Sequence, residues 1–173
     1  MNKNKGFTLV ELLIAIFITV SIGSIIFSIF LTSLRSSKKS SSVSRVRENG
    51  NGAIMQMSRM IQFAQEVNSP CNGSSQTSII ITGQDGEQTT YTLNSSGGIA
   101  SQSGTRIYQL IDTSFAAVDA SAPFNFTCSR TDISMPPTVG ITFRLRDAQV
   151  SSFAEDEVLI PFRTSVTLRN LPN

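Results

Sequence analysis

Glu11 is the residue with the most demanding chemistry in this 173-residue chain. It is the single charged side chain among positions 7–34, set just inside an otherwise apolar run. An acidic side chain at the centre of a membrane helix costs about 2.5–3.5 kcal/mol on insertion scales. A carboxylate kept there implies a partner. Two further groups have reactive or ligating character. Cys71 and Cys128 make an even cysteine count, which reads as one disulfide in an oxidising compartment, with two buried free thiols as the alternative. Glu155, Asp156 and Glu157 offer hard oxygen ligands of the kind calcium takes. They lack the glycine or asparagine turn and the six to eight oxygens of a calcium site, so a solvated acidic loop is the better reading.

The remaining chemistry is excluded more simply. The chain has no histidine, so the usual Ser–His and Cys–His nucleophile pairs are missing. A zinc site from two thiols alone falls short of the four ligands zinc takes. Gly97 and Gly98 sit in a turn rather than in a phosphate loop after a strand. The expectation is a non-enzymatic protein with no metal and no cofactor.

An element of membrane length must carry Glu11. Positions 12–34 hold no charged residue over 23 positions, and at about 1.5 Å per helical residue that run spans a hydrocarbon core of about 30 Å. A cleaved secretory signal would have a shorter apolar region followed by small residues. Here Arg35, Ser36, Ser37, Lys38 and Lys39 follow instead. A plain signal anchor explains the length but not Glu11. Charge bias does not settle orientation, because Lys3 and Lys5 lie on one side of the run and three cations on the other.

The order Lys3, Lys5, Gly6, Phe7, Thr8, Leu9, Val10, Glu11 and then the apolar run resembles the class III signal of type IV pilin-like proteins. That resemblance implies cleavage between Gly6 and Phe7 by a membrane-embedded prepilin peptidase on the cytoplasmic face. It implies N-methylation of Phe7, and pairing of Glu11 with the freed amine of a neighbouring subunit in a filament core. Glycine at position 6 lets the scissile backbone approach a protease closely. The stretch Arg45, Val46, Arg47, Glu48, Asn49, Gly50 with Cys71 is similar to the outer helix of PilW-type minor pilins. The ending from Arg163 to Asn170 is similar to the closing strand of that group and of J-type minor pseudopilins of type II secretion. Many major pilins carry a proline in the membrane half; Ser21, Gly23, Ser24 and Ser28 occupy that stretch here.

The outer part of the chain follows from pattern. Val43, Val46, Gly50, Ala53, Ile54, Met57, Ile61, Ala64 and Val67 recur at three- and four-residue steps, which predicts an amphipathic helix over 35–69 ended by Pro70. Gly50 and Gly52 each weaken a helix by about 1 kcal/mol relative to alanine, which predicts a bend near 49–52. Beyond Pro70 the pattern turns to short β-rich runs: a hairpin from 78–82 and 88–93 around Gly83 to Gly86, then 105–111, 124–128, 139–145 and 158–168. Pro161 places the last on an edge or at a bulge. The expected organisation is a leader (1–6), an assembly helix (7–34), an outer helix (35–69) and a β-rich extracytoplasmic domain (70–173). The fold class is α+β and pilin-like, a long N-terminal helix packed on antiparallel sheet.

Charge is uneven along that layout. Residues 35–61 carry Arg35, Lys38, Lys39, Arg45, Arg47 and Arg59 against Glu48 alone, whereas 62–173 carry six arginines against ten acids. A basic stem beside anionic lipid headgroups explains this without nucleic acid. DNA capture, through the stem or through Arg144 and Arg146, lacks interleaved aromatics and a nucleic-acid motif. The functional expectation is a minor pilin or pseudopilin in the inner (cytoplasmic) membrane and then in a filament. Its partners would be the prepilin peptidase, other pilins, the inner-membrane assembly platform and membrane lipid. The competing readings are a tethered extracytoplasmic binding module and a DNA-capturing competence subunit.

Overall fold

The computed structural model describes residues 8–122, 124–132, 134–149 and 158–169. Gly6, Phe7 and the acidic cluster Glu155, Asp156 and Glu157 lie outside the described residues. The chain divides into two compact units, 1–40 and 41–173. Among the described residues one helix, α1 (Leu9–Gln62), contributes to both and is followed by ten strands. The architecture is α+β, as the sequence pattern implies.

In the second unit, α1 buries Ser42, Val46, Gly50, Ala53, Met57 and Ile61. Those positions recur every three or four residues, which keeps them on one helix face. That stripe enters a single core with residues of two antiparallel sheets. The first sheet has the order β1 (Glu66–Val67), β3 (Ser78–Thr82), β4 (Gln88–Leu93), β5 (Ile99–Ser103), β6 (Arg106–Gln109). It supplies Ile79, Ile81, Tyr91 and Ile99 to the core. The second has the order β10 (Leu159–Thr167), β9 (Thr138–Asp147), β8 (Asn125–Ser129), β2 (Asn72–Gln76), with β7 (Ala116–Val118) also paired to β9. Its core side chains include Phe126, Ile141, Phe143, Leu145 and Phe162.

The helix does not break at its glycines. It stays helical through Gly50 and Gly52, so any bend at 49–52 is made without interrupting the helix. A Cβ placed on Gly50 would lie 2.0 Å from Cζ of Phe162, overlapping the tip of its ring, whereas one on Gly52 would meet nothing within 4 Å. Gly50 therefore lets a strand side chain seat against the helix backbone. Phe162 in turn stacks on Phe143, with ring centroids 5.2 Å apart. Phe124 continues the series, 6.1 Å from Phe143 and 4.9 Å edge-on from Phe126.

The helix also ends earlier than its apolar spacing implies, at Gln62 instead of Ser69. Ile61, Ala64 and Val67 are all buried, so the burial reading holds while the conformation changes. Past the last turn the backbone finds better partners on β3: the Gln65 amide donates to the Thr82 carbonyl at 2.8 Å, and Val67 pairs with Ile81. An exposed sheet edge satisfies these groups where another helical turn would leave its carbonyls to water.

The 78–93 hairpin forms as its turn chemistry implies. Gly83 donates to the Glu87 carbonyl at 2.8 Å, and Gly86 takes a positive φ of 78°. The expected strand at 105–111 is shorter, Arg106–Gln109, because Gly104 at φ 57° turns the chain from β5 into β6. Strands β1, β2, β5 and β7 have no counterpart in the sequence expectation. Pro161 lies in β10, an edge strand, opposite Arg144. There its missing N–H is tolerated.

Cys71 and Cys128 lie at disulfide distance, their Cα atoms 4.3 Å apart, beside the β2–β8 pairing of Asn72 with Ser129. A bridge there closes a separation of 57 residues, worth about 4 kcal/mol on the chain-entropy account. Non-reducing peptide mapping of exported protein is expected to recover the linked pair. Two alkylatable thiols would contradict it.

Candidate functional site

The N-terminal segment is built from Thr8 outward. Thr8 precedes the first helical residue, and its hydroxyl oxygen accepts the Glu11 amide at 3.3 Å while its carbonyl accepts the Leu12 amide at 3.2 Å. Thr8 is therefore the N-cap and Glu11 the third helical residue, the threonine-to-glutamate spacing of a capping box. Sequence reasoning assigned Glu11 a partner outside the chain and gave Thr8 no task. The T-x-x-E spacing was the signal available. In the first turn the Glu11 carboxylate also sits at the positive end of the helix dipole. Among the described residues no cation is within ion-pair distance of it.

Beyond Glu11 the helix shows apolar surface on every side. Phe17 is 74% exposed, and even Leu31, among the least exposed of the large apolar side chains here, is 41% exposed. No residue in the apolar window of α1 is buried, and by length and composition it is able to cross a membrane. Four hydroxyls in the run donate back to helix carbonyls. Thr19 donates to the Ala15 carbonyl at 2.7 Å, Ser21 to Phe17 at 2.8 Å, Ser24 to Ser21 at 2.8 Å and Thr32 to Ser28 at 2.9 Å. Each bond satisfies a polar group locally, which a hydrocarbon environment requires. The stretch that lacks proline is thus an unbroken helix, with the hydroxyls of Ser21 and Ser24 bonded to its own backbone.

The second unit offers little chemistry. Among the described residues no group of three or more His, Cys, Asp or Glu side chains is placed to hold a metal ion. Arg144, a candidate phosphate contact, is already engaged: its Nε donates to Asp119 at 2.6 Å and an Nη to Ser121 at 2.6 Å. Arg45 of the basic stem lies over the Phe115 ring at 5.3 Å. Arg146 remains exposed on β9.

The Asp119 cluster has a measurable consequence. The Ser121 backbone amide holds the Asp119 carboxyl below the usual carboxylate range, aided by the Ser121 hydroxyl and Arg144 and opposed by burial. A carboxyl lowered on folding adds stability above its unfolded pKa of about 3.9, and that stability is lost as pH falls through the folded value. Asp119→Asn is expected to lower unfolding free energy by about 1–3 kcal/mol at neutral pH. The gap to the parent should narrow below about pH 4. Denaturant titrations at both pH values check this; a gap independent of pH would contradict it.

Residues 1–34 match the family described as the prokaryotic N-terminal methylation motif. No curated protein and no solved structure gives a significant match to the chain. The matched segment contains Gly6, Phe7, Thr8 and Glu11 together with the whole uncharged run. It is a class III prepilin signal, so the chain is type IV pilin-like in this segment.

Proposed function

We propose that this chain is a minor pilin or pseudopilin, a structural subunit of a type IV pilus or a type II secretion filament. A prepilin signal implies processing by prepilin peptidase and assembly with other pilins, and an apolar N-terminal helix suggests membrane anchoring with a soluble C-terminal domain. The observation that carries the proposal is that match, coupled to an apolar helix that no other part of the described chain covers. Cleavage between Gly6 and Phe7 releases the leader and creates an amine at Phe7, which is then methylated. Glu11 of one subunit meets the Phe7 amine of its neighbour, which offsets the cost of burying both charges and fixes their axial register. The β-rich domain is presented on the extracytoplasmic side. The work is structural and not enzymatic.

Processing is tested by intact mass. Protein made in a host with prepilin peptidase is expected to lack residues 1–6 and to carry one methyl group on Phe7. Gly6→Ala should leave the full-length species. Full-length protein from the parent gene, or unchanged cleavage of Gly6→Ala, would overturn the proposal.

A further inference from the structure

Three asparagines are followed directly by glycine: Asn49, Asn51 and Asn72. A glycine carries no side chain, so its amide nitrogen is open to close approach by the asparagine carbonyl carbon before it. The fold separates the three. Asn49–Gly50 and Asn51–Gly52 lie inside α1, where the helical ladder engages the backbone amides and fixes the dihedrals. Asn49 is held further: its Nδ2 donates to the Arg45 carbonyl at 3.0 Å, and its Oδ1 accepts the Asp112 amide at 2.8 Å. Asn72 and Gly73 are instead exposed in β2, the strand at one end of the second sheet. We propose that Asn72 is a self-modification site, which deamidates through attack by the Gly73 nitrogen to give aspartate and isoaspartate.

The local geometry favours that attack. Asn72 pairs with Ser129 and Ser75 with Thr127, so Gly73 and Ser74 stand opposite the single residue Cys128 in a bulge. Gly73 takes a φ of 81°, and a Cβ there would meet nothing within 4 Å. No packing therefore hinders rotation of this peptide. Asn72 Oδ1 accepts both the Ser74 amide, at 3.0 Å, and the Ser74 hydroxyl. Two donors on that oxygen draw electron density from Cγ and stabilise the charge that develops during attack, as an oxyanion hole does. Ring closure within one dipeptide carries no encounter cost. In the first step the Gly73 N–H gives its proton to hydroxide and the nitrogen bonds to Asn72 Cγ. The Cγ–Nδ2 bond breaks, and Nδ2 takes up a proton and departs as ammonia. Water then opens the cyclic imide at either carbonyl, leaving the carboxylate on the side chain or in the main chain. The balance is one water consumed and one ammonia released, with no change of oxidation state. The product places a new negative charge beside Cys71. No side chain of β2 is buried, so the change falls on charge and not on core packing.

The test incubates the full chain in detergent micelles at mildly alkaline pH, in water enriched in heavy oxygen, and maps the peptides by mass spectrometry. Asn72 is expected to become an acid carrying the heavy isotope, as both aspartate and isoaspartate. It should convert about tenfold or more faster than Asn49 or Asn51, whose helical hydrogen bonds must open first. In chain reduced and unfolded in denaturant the three pairs should convert at comparable rates. After conversion the thermal melt of the folded protein should move by no more than a few degrees. Ser74→Ala should slow the reaction of Asn72 severalfold. Asn72 left intact in the folded protein, or Asn49 or Asn51 converting as fast, would overturn the proposal. Aspartate without isoaspartate would overturn the cyclic route, and an unchanged rate in Ser74→Ala the part assigned to its hydroxyl. The reaction needs neither leader cleavage nor assembly, so its failure and that of the filament reading are distinguishable.

Discussion

Gly50→Ala is expected to destabilise the second unit by about 2–3 kcal/mol, against the direction that helix propensity alone would give. Replacing a helical glycine by alanine is normally favourable by about 1 kcal/mol. At position 50 the added methyl would occupy space already filled by the Phe162 ring. Phe162 cannot simply withdraw, because it stacks on Phe143 and belongs to the core. Forcing extra volume into a close-packed core costs about 1–3 kcal/mol, occasionally more, and the cost rises with each added carbon. Gly50→Leu should therefore prevent stable folding. Gly52→Ala is the internal control: with nothing within 4 Å of its Cβ, it should show the ordinary gain of about 1 kcal/mol. Denaturant melts of the full chain in micelles separate the two sites. Phe162→Leu in the Gly50→Ala background should recover part of the loss, as coupling between touching residues requires. Equal stabilisation by both alanine variants would mean that Phe162 does not seat on Gly50.

The contrast between these glycines shows where sequence reading stops. Both are helix weakeners near a candidate bend, and the apolar spacing places Gly50 alone on the buried stripe without saying what meets it. What the spacing leaves out is the aromatic ring on the last strand that meets Gly50, a partner that no local pattern identifies. The same limit hid the end of α1, because Ile61, Ala64 and Val67 keep helical spacing although the chain between the last two has already joined β3. Strand β2 was illegible for another reason. Asn72 to Gln76 are all polar or glycine and mostly exposed, so no alternation exists to be read. Strand β7 has three consecutive buried residues, which erases the period of two. Features with local chemistry were legible: the acid beside an apolar run, the Gly83 to Gly86 turn, and Pro161 on an edge strand.

Glu11→Val is expected to have the largest functional effect of any single substitution in the chain. Insertion into the membrane should be unchanged or improved, because a carboxylate is removed from an apolar helix. The Thr8 cap should survive, since it is the Glu11 backbone amide that Thr8 accepts. Cleavage after Gly6 should persist. In the filament, the neighbour's Phe7 amine would be left buried without a counter-charge. Breaking such a pair by removing one partner costs about 3–5 kcal/mol, which corresponds to about a hundredfold or greater loss of incorporation. The most direct measurement is the amount of parent and Glu11→Val protein in sheared filaments, normalised to membrane-bound protein with mature N-termini. The parent should be found in the filament fraction and the variant depleted from it about a hundredfold, with both equally processed. Equal amounts of the two in filaments would contradict the assembly role of Glu11, whereas absence of both would favour a tethered module that never polymerises.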